Sequence, residues 1–195
     1  QVAFARFLYM AENPHLFGDI IHAELLPPFN EDGSAPLWEA IGKKFFQMDY
    51  QQADILSRKN KEFILNLFPS ENIYASLLSQ QAQDAIGAVN KGTVPLMKML
   101  KKIGFEYNNE IDPFDGGPHF RCRREEILPI KKSVKLKPLL SEQAQDNYLL
   151  LSNKSPIFTC FMNSCSVNKK TLEVKKSKLV DKFIDLSKEL RVSPI

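Results

Sequence analysis

The stretch Asp112-Pro-Phe-Asp-Gly-Gly-Pro118 constrains this chain more than any other. Two prolines and two glycines in seven residues interrupt both helix and ladder, and the two aspartates suit turn N–H groups. The runs on either side, Phe105–Ile111 and His119–Arg123, are strand-like, so a hairpin is expected across this turn. Consecutive glycines also let backbone N–H groups converge into an anion-holding nest. A tight hairpin connection accounts for them equally well.

The rest of the chain alternates helical and strand-like segments, which is the signature of an α/β layer. Residues 1 to 12 carry Val2, Phe4, Phe7, Leu8 and Tyr9 as part of an amphipathic helix without a capping residue. The chain opens on Gln1 inside that helix, and we expect a segment to precede it, with Phe4, Phe7 and Leu8 exposed to a partner. Asn13-Pro14 ends the helix, because the residue before proline is pushed out of the α region. Asp19 to Leu26 then reads as a buried strand.

Pro36 opens a helix over Leu37 to Lys44, and Pro95 opens a second over the related stretch to Phe105. Each has a Pro-Leu start, a lysine pair and a phenylalanine, so two helices each delivering a strand are expected. Between them, Tyr50 to Leu56 and Lys61 to Phe68 read as short helices. Ile73 to Ile86 reads as a longer one, stopped by Gly87. After Pro129 the texture changes to short β-type runs at Lys131 to Lys137, Tyr148 to Leu151 and Ile157 to Met162. Lys175 to Leu190 closes the pattern as an amphipathic helix. The expected division is a first domain of residues 1–128 and a small β-rich unit of residues 129–195 with a terminal helix.

Composition narrows the function classes by exclusion. Lys and Arg (26) exceed Asp and Glu (23) by only three, too small a surplus to argue for nucleic acid or an anionic membrane. The cluster Arg121, Arg123, Arg124, Lys131, Lys132, Lys135 and Lys137 is read as the solvated face of strands. Three cysteines without a CxxC pair argue against a disulfide framework or zinc knuckle and fit a reducing cytoplasm. No apolar run approaches the roughly 20 residues that span a bilayer. The glycines outside the turn stand singly, so a dinucleotide fingerprint or P-loop is absent. His15, His22 and His119 lack metal-ligand spacing, and no metal is expected. Glu24, Asp112 and Asp115 are the carboxylates placed nearest a cleft, suited to a cationic ligand or to proton transfer. Capping of turn N–H groups explains the two aspartates as well.

The residues carry a family resemblance. Pro36-Leu-Trp38, Phe45-Phe46-x-Met48-Asp49, Ala53-Asp54, Phe63-Ile64, Ile73-Tyr74, Gln83-Asp84-x-Ile86-Gly87, Gly104-Phe105 and above all Ile111-Asp112-x-Phe114-Asp115-Gly116-Gly117-Pro118 resemble the arginine N-succinyltransferase family, from about Arg6 to Ser133. The resemblance implies an α/β fold with an acyl-CoA N-acyltransferase-like mixed sheet and helices, plus the small C-terminal β-rich unit. It also implies transfer of a succinyl group from succinyl-CoA to the α-amino group of arginine, or of ornithine, in arginine catabolism, with no bound cofactor beyond that co-substrate. Glu24, Asp112 and Asp115 would face the guanidinium.

This chain departs from the family pattern in three places. The family's early strands and glycine-rich CoA loop have no counterpart in these residues, so a homo-oligomer or a second chain is expected to supply acyl-CoA binding. Where the family reads Ile-Gly-x-Val-His, with the histidine as proton donor, this chain reads Ile86-Gly87-Ala88-Val89-Asn90. Asparagine orients by hydrogen bonding but does not titrate, and loss of a general acid or base costs about 10²- to 10⁴-fold in rate. Leu26 stands where the family usually has an arginine. A non-catalytic or half-enzyme subunit is the alternative expectation.

Overall fold

The computed structural model describes residues 2–59, 62, 66 and 68–194. The expected helix over 61–68 lies largely outside the described residues. The chain begins with α1 (Val2–Glu12) and continues with β1 (Ile20–Glu24), α2 (Pro36–Ala40), α3 (Gly42–Phe46) and α4 (Tyr50–Lys59). Next come α5 (Gln80–Ala85), α6 (Val94–Lys102) and the hairpin strands β2 (Glu106–Ile111) and β3 (Pro118–Arg123). The remainder is α7 (Leu128–Lys131), β4 (Val134–Leu136), β5 (Pro138–Leu140), β6 (Asp146–Leu151), β7 (Cys160–Val167), β8 (Leu172–Val174), α8 (Lys178–Phe183) and β9 (Leu190–Pro194). Packing groups these elements into two compact units, one of Gln1–Ile21 with Cys122–Ile195 and one of His22–Arg121. This grouping differs from the expected division at residue 129, because α1 packs with the C-terminal elements.

In the unit of His22–Arg121 the hairpin forms as expected. β2 and β3 are antiparallel, with Glu106 opposite Arg121, Tyr107 opposite Phe120 and Ile111 opposite Pro118. A register shift between Tyr107 and Ile111 accompanies Asn109 at φ 60°, a local bulge. The sheet order is β1-β3-β2, so β1 is an edge strand. That position corrects the expectation of a buried strand over Asp19 to Leu26. Ile20, His22 and Glu24 are exposed, and full burial begins only at Leu25.

The core of this unit is aromatic. The Trp38 ring stacks between Phe46 and Phe114, with centroids 5.4 and 4.5 Å away, and its indole N–H donates to the Met48 carbonyl at 3.1 Å. The single helix expected over Leu37 to Lys44 is two, broken at Ile41 (φ −121°, ψ −72°). The break sets Gly42 under the indole, where an added Cβ would lie 2.1 Å from Trp38 Cε3. No strand follows α3, since Gln47 turns left-handed and α4 begins at Tyr50. Of the two related units, only α6 delivers a strand.

The long helix expected over Ile73 to Ile86 is also corrected, to a 3-10 turn at Ala75–Leu77 and the short α5. The Ser79 hydroxyl caps α5 by accepting from the Ala82 N–H at 3.3 Å. Ala82 and Ala85 are buried, while Ile73, Tyr74 and Leu77 remain exposed, so the apolar spacing did not mark one face.

The second unit holds a six-stranded sheet of order β4-β9-β6-β7-β8-β5, antiparallel except for the β5–β8 pair. Leu150, Cys165, Leu172, Val174, Val180, Ile184, Leu190 and Val192 form its core. The terminal helix expected over Lys175 to Leu190 stops at Phe183. Asn153 explains why. Its Oδ1 accepts from the Asp185 N–H at 2.7 Å, and its Nδ2 donates to the carbonyls of Asp185 and Glu189 at 2.9 and 3.1 Å. A side chain holding backbone groups in this way offers them an alternative to the helix, and the chain leaves as β9. α1 is anchored in the same unit by Glu12, whose carboxylate accepts from Lys135 Nζ at 2.8 Å and Arg191 Nε at 2.6 Å. Phe7 and Leu8 are buried, contrary to the expectation of an exposed apolar face on α1.

Candidate functional site

The hairpin turn is held by its own aspartates. The Asp112 N–H donates to the Gly117 carbonyl and the Gly116 N–H to the Asp112 carbonyl, each at 2.8 Å, while Asp112 Oδ1 accepts from the Phe114 N–H at 2.6 Å. Gly116 sits at φ +87°, a region that favours glycine. A Cβ at Gly117 would lie 2.4 Å from the Leu25 carbonyl oxygen, so the turn approaches the end of β1 more closely than any side chain permits.

Asp115 lies beneath this turn and is only 3% exposed. Its Oδ1 accepts from the Gly117 N–H at 2.8 Å and its Oδ2 from the Tyr50 hydroxyl at 3.0 Å. Burial pushes its carboxyl above the ordinary range; the Gly117 N–H opposes that rise and the Asp112 charge adds to it. Tyr50 is pushed up by its own burial and by the Asp115 charge. Both carboxylate oxygens of Asp115 are therefore engaged within the protein.

Glu24 and Asp112 are placed differently. Glu24 ends β1, Asp112 follows β2, and His119 lies near the start of β3. One donor atom from each of these three side chains lies within 4.8 Å of the others, and His119 Nε2 is 3.9 Å from Glu24 Oε2. Burial raises the Glu24 carboxyl above the ordinary range; the Asp112 and Asp115 charges raise it further, and His119 opposes them. The arrangement is a partly exposed patch of negative charge at the end of an open edge strand. It suits a guanidinium, an ammonium group or a metal ion.

Asn90 lies on the segment that crosses the turn. The Gly87 N–H donates to the Gly116 carbonyl at 2.9 Å, and the Asn90 N–H to the Leu26 carbonyl at 2.8 Å, two residues beyond Glu24. Its side-chain Oδ1 accepts from the Gly92 N–H at 2.9 Å, capping the turn Lys91–Thr93. The expected site residues thus come from three parts of one unit, held to one another through Leu26, Gly116 and Gly117.

Two residues of the site, Tyr50 and His119, are not marked by the sequence. Tyr50 reads only as a helix start, and no local spacing links it to a residue 65 positions away. His119 reads as an isolated histidine. Its place directly after Gly-Gly-Pro, on the strand returning past Asp112, was the available signal. The basic cluster is not one strand face: Arg124 lies in the 3-10 turn Arg124–Glu126 and Lys131 in α7, and its members pair Arg121 with Glu110, Lys131 with Glu126, Lys135 with Glu12, and Arg124 with Asp19. Among the described residues no helix is long and apolar enough to cross a membrane.

Comparison with known proteins bears on the family and the fold. The model of the family described as arginine N-succinyltransferase beta subunit matches residues 1–129. The arginine N-succinyltransferase of Escherichia coli (strain K12 / DH10B) is 40% identical over 145 residues, which cover 74% of this chain and 42% of that protein. The arginine N-succinyltransferase of Shigella boydii serotype 18 gives the same values. The solved structure of arginine/ornithine succinyltransferase subunit AI from Pseudomonas aeruginosa superposes with a TM-score of 0.80 at 27% identity, covering 98% of this chain and 56% of that one. This match meets the expectation of a mixed α/β, acyltransferase-like fold. The matched residues thus span less than half the length of these curated relatives.

Proposed function

Because this chain belongs to the arginine N-succinyltransferase beta subunit family, we propose that its carboxylate patch holds the amine substrate for succinyl transfer from succinyl-CoA to arginine. The observation that carries this reading is the convergence of Glu24 and Asp112 at the end of β1, with no lysine or arginine ion-paired to either carboxylate among the described residues. A guanidinium presents N–H donors in a planar fork that two carboxylates match. Asp115 acts as a positioning residue: by holding Gly117 and Tyr50 it fixes the turn that carries Asp112.

The reaction joins the amine nitrogen to the thioester carbonyl carbon, breaks the carbon–sulfur bond and passes the amine proton to the departing thiolate. Glu24 and Asp112 hold the cationic end of the substrate. Asn90 does not carry the proton, because an amide has no titrating group and its Oδ1 already caps a turn. Acyl-CoA is held by protein outside these 195 residues, since the sequence contains no Gly-x-Gly loop opening a helix.

Asn90 favours a second reading, a binding subunit that is catalytically incomplete by itself. Isothermal titration decides both parts. Arginine is expected to bind with heat that Glu24→Gln and Asp112→Asn each reduce, while citrulline, which lacks the cation, does not bind. Equal binding of citrulline and arginine would overturn the guanidinium placement. Micromolar binding of succinyl-CoA would overturn the claim that acyl-CoA is held elsewhere. With protein that supplies acyl-CoA binding present, turnover that rises in Asn90→His would show that the proton carrier is what the chain lacks.

A further inference from the structure

His119 is not used by the amine-binding reading, yet it lies beside the two carboxylates that are. Its Nε2 is screened from solvent and has no hydrogen-bond partner. That nitrogen lies 3.9 Å from Glu24 Oε2, too far for a hydrogen bond and close enough for one bridging ion. Buried polar atoms in native structures are satisfied by protein, water or an ion, so an orphan nitrogen facing a carboxylate calls for a partner. Glu24 and Asp112 are close enough to share a hydrogen bond between their carboxyl groups, and each keeps further lone pairs open. His119 is the only ion-pair partner of Glu24 among the described residues. Asp112 Oδ1 is fixed by the Phe114 N–H, and Asp112 forms no ion pair among them.

We propose that Glu24, Asp112 and His119 form a binding site for a divalent transition-metal ion. Three donor atoms within 4.8 Å of one another leave a central point less than an ångström beyond ordinary coordination distances of about 2.0–2.2 Å. The half-exposed Glu24 side chain can take up that difference by rotation. Two carboxylates and one imidazole are a borderline donor set. They suit zinc, cobalt, manganese or iron, and fit poorly the six or more oxygen ligands that calcium takes. Three protein ligands leave positions open for water or substrate. Asp112 is fixed by its turn, and His119 directly follows Pro118, which pairs with Ile111. No local motif marks the site, because its ligands are 88 and 7 residues apart and follow no ligand spacing.

The metal and a guanidinium require the same two carboxylates, so the inference goes beyond the proposed function and makes the ion a competitor of the amine substrate. The test uses the full chain freed of metal with a chelator and titrated with Zn²⁺, and separately with Co²⁺, near pH 7.5. One equivalent is expected to bind with micromolar or tighter affinity. His119→Gln, Glu24→Gln and Asp112→Asn are each expected to weaken it at least tenfold, each variant first shown to melt cooperatively. The Co²⁺ form is expected to shift and broaden the His119 ring resonances while sparing those of His15. No saturable binding below millimolar metal, or binding unchanged in all three variants, overturns the site. Arginine is expected to raise the apparent metal dissociation constant. Metal binding indifferent to arginine would sink the guanidinium placement and leave the metal site standing; arginine binding without metal binding would do the reverse.

Discussion

The Tyr50 hydroxyl donates to the Asp115 carboxylate at 3.0 Å across 65 residues of sequence, tying the start of α4 to the Gly-Gly turn. Tyr50→Phe removes the donor and leaves one buried carboxylate oxygen without its partner. The expected cost is about 1–3 kcal/mol, the penalty for a buried polar group left unsatisfied. Denaturant unfolding measures it, and an unchanged midpoint would show that water replaces the hydroxyl.

Asp115 also gives the stability a pH dependence of defined sign. Burial holds its carboxyl above the ordinary range, so in the window between the unfolded and folded values the native state binds the extra proton. Stability from this group is present below the ordinary aspartate value and is lost as pH rises through the raised one. Stability measured at stepped pH from about 4 to 7 should fall less steeply in Asp115→Asn than in the parent chain. A steeper fall in the variant would contradict the shift.

Glu12 has the opposite sign. Burial pushes its carboxyl up, but the hydrogen bonds and charges of Lys135 and Arg191 outweigh that and hold it below the ordinary range. Its contribution is therefore present above the ordinary glutamate value and lost as pH falls through the lowered one. Glu12→Gln should cost about 1 kcal/mol at neutral pH, near the upper end for a partly exposed pair. At pH low enough to protonate Glu12 in the parent, the two proteins should converge.

Gly42→Ala tests the close approach beneath the indole. A Cβ would sit 2.1 Å from Trp38 Cε3, so either the ring or the α2–α3 junction must move. Overpacking of this kind costs about 1–3 kcal/mol. Trp38 is the only tryptophan, so its fluorescence reports the displacement directly. A spectrum and melting temperature equal to the parent's would mean that the junction relaxes freely.

The sequence made the hairpin and the carboxylates legible because both rest on local chemistry: glycine, proline and aspartate in one short turn, and acidic residues at strand ends. It misled where apolar spacing imitates a helix. Lys175 to Leu190 has helical periodicity, yet Asn153 takes the backbone groups around Asp185, and Leu190 and Val192 are buried in a sheet instead. Ile73 and Leu77 fit a helical face that the fold never buries. Tyr50 and His119 escaped for a different reason. Their roles depend on which strand returns beside which, and that is decided by tertiary packing rather than by neighbouring residues.

β9 lies between β4 and β6 and is the strand that joins β4 to the rest of the larger sheet. It is also the last strand in chain order among the described residues. Without residues 190–194, β4 would lose its ladder partner and β6 would present an unpaired edge. A cut that removed those few residues would therefore sever β4 from the sheet rather than shorten the sheet at its rim.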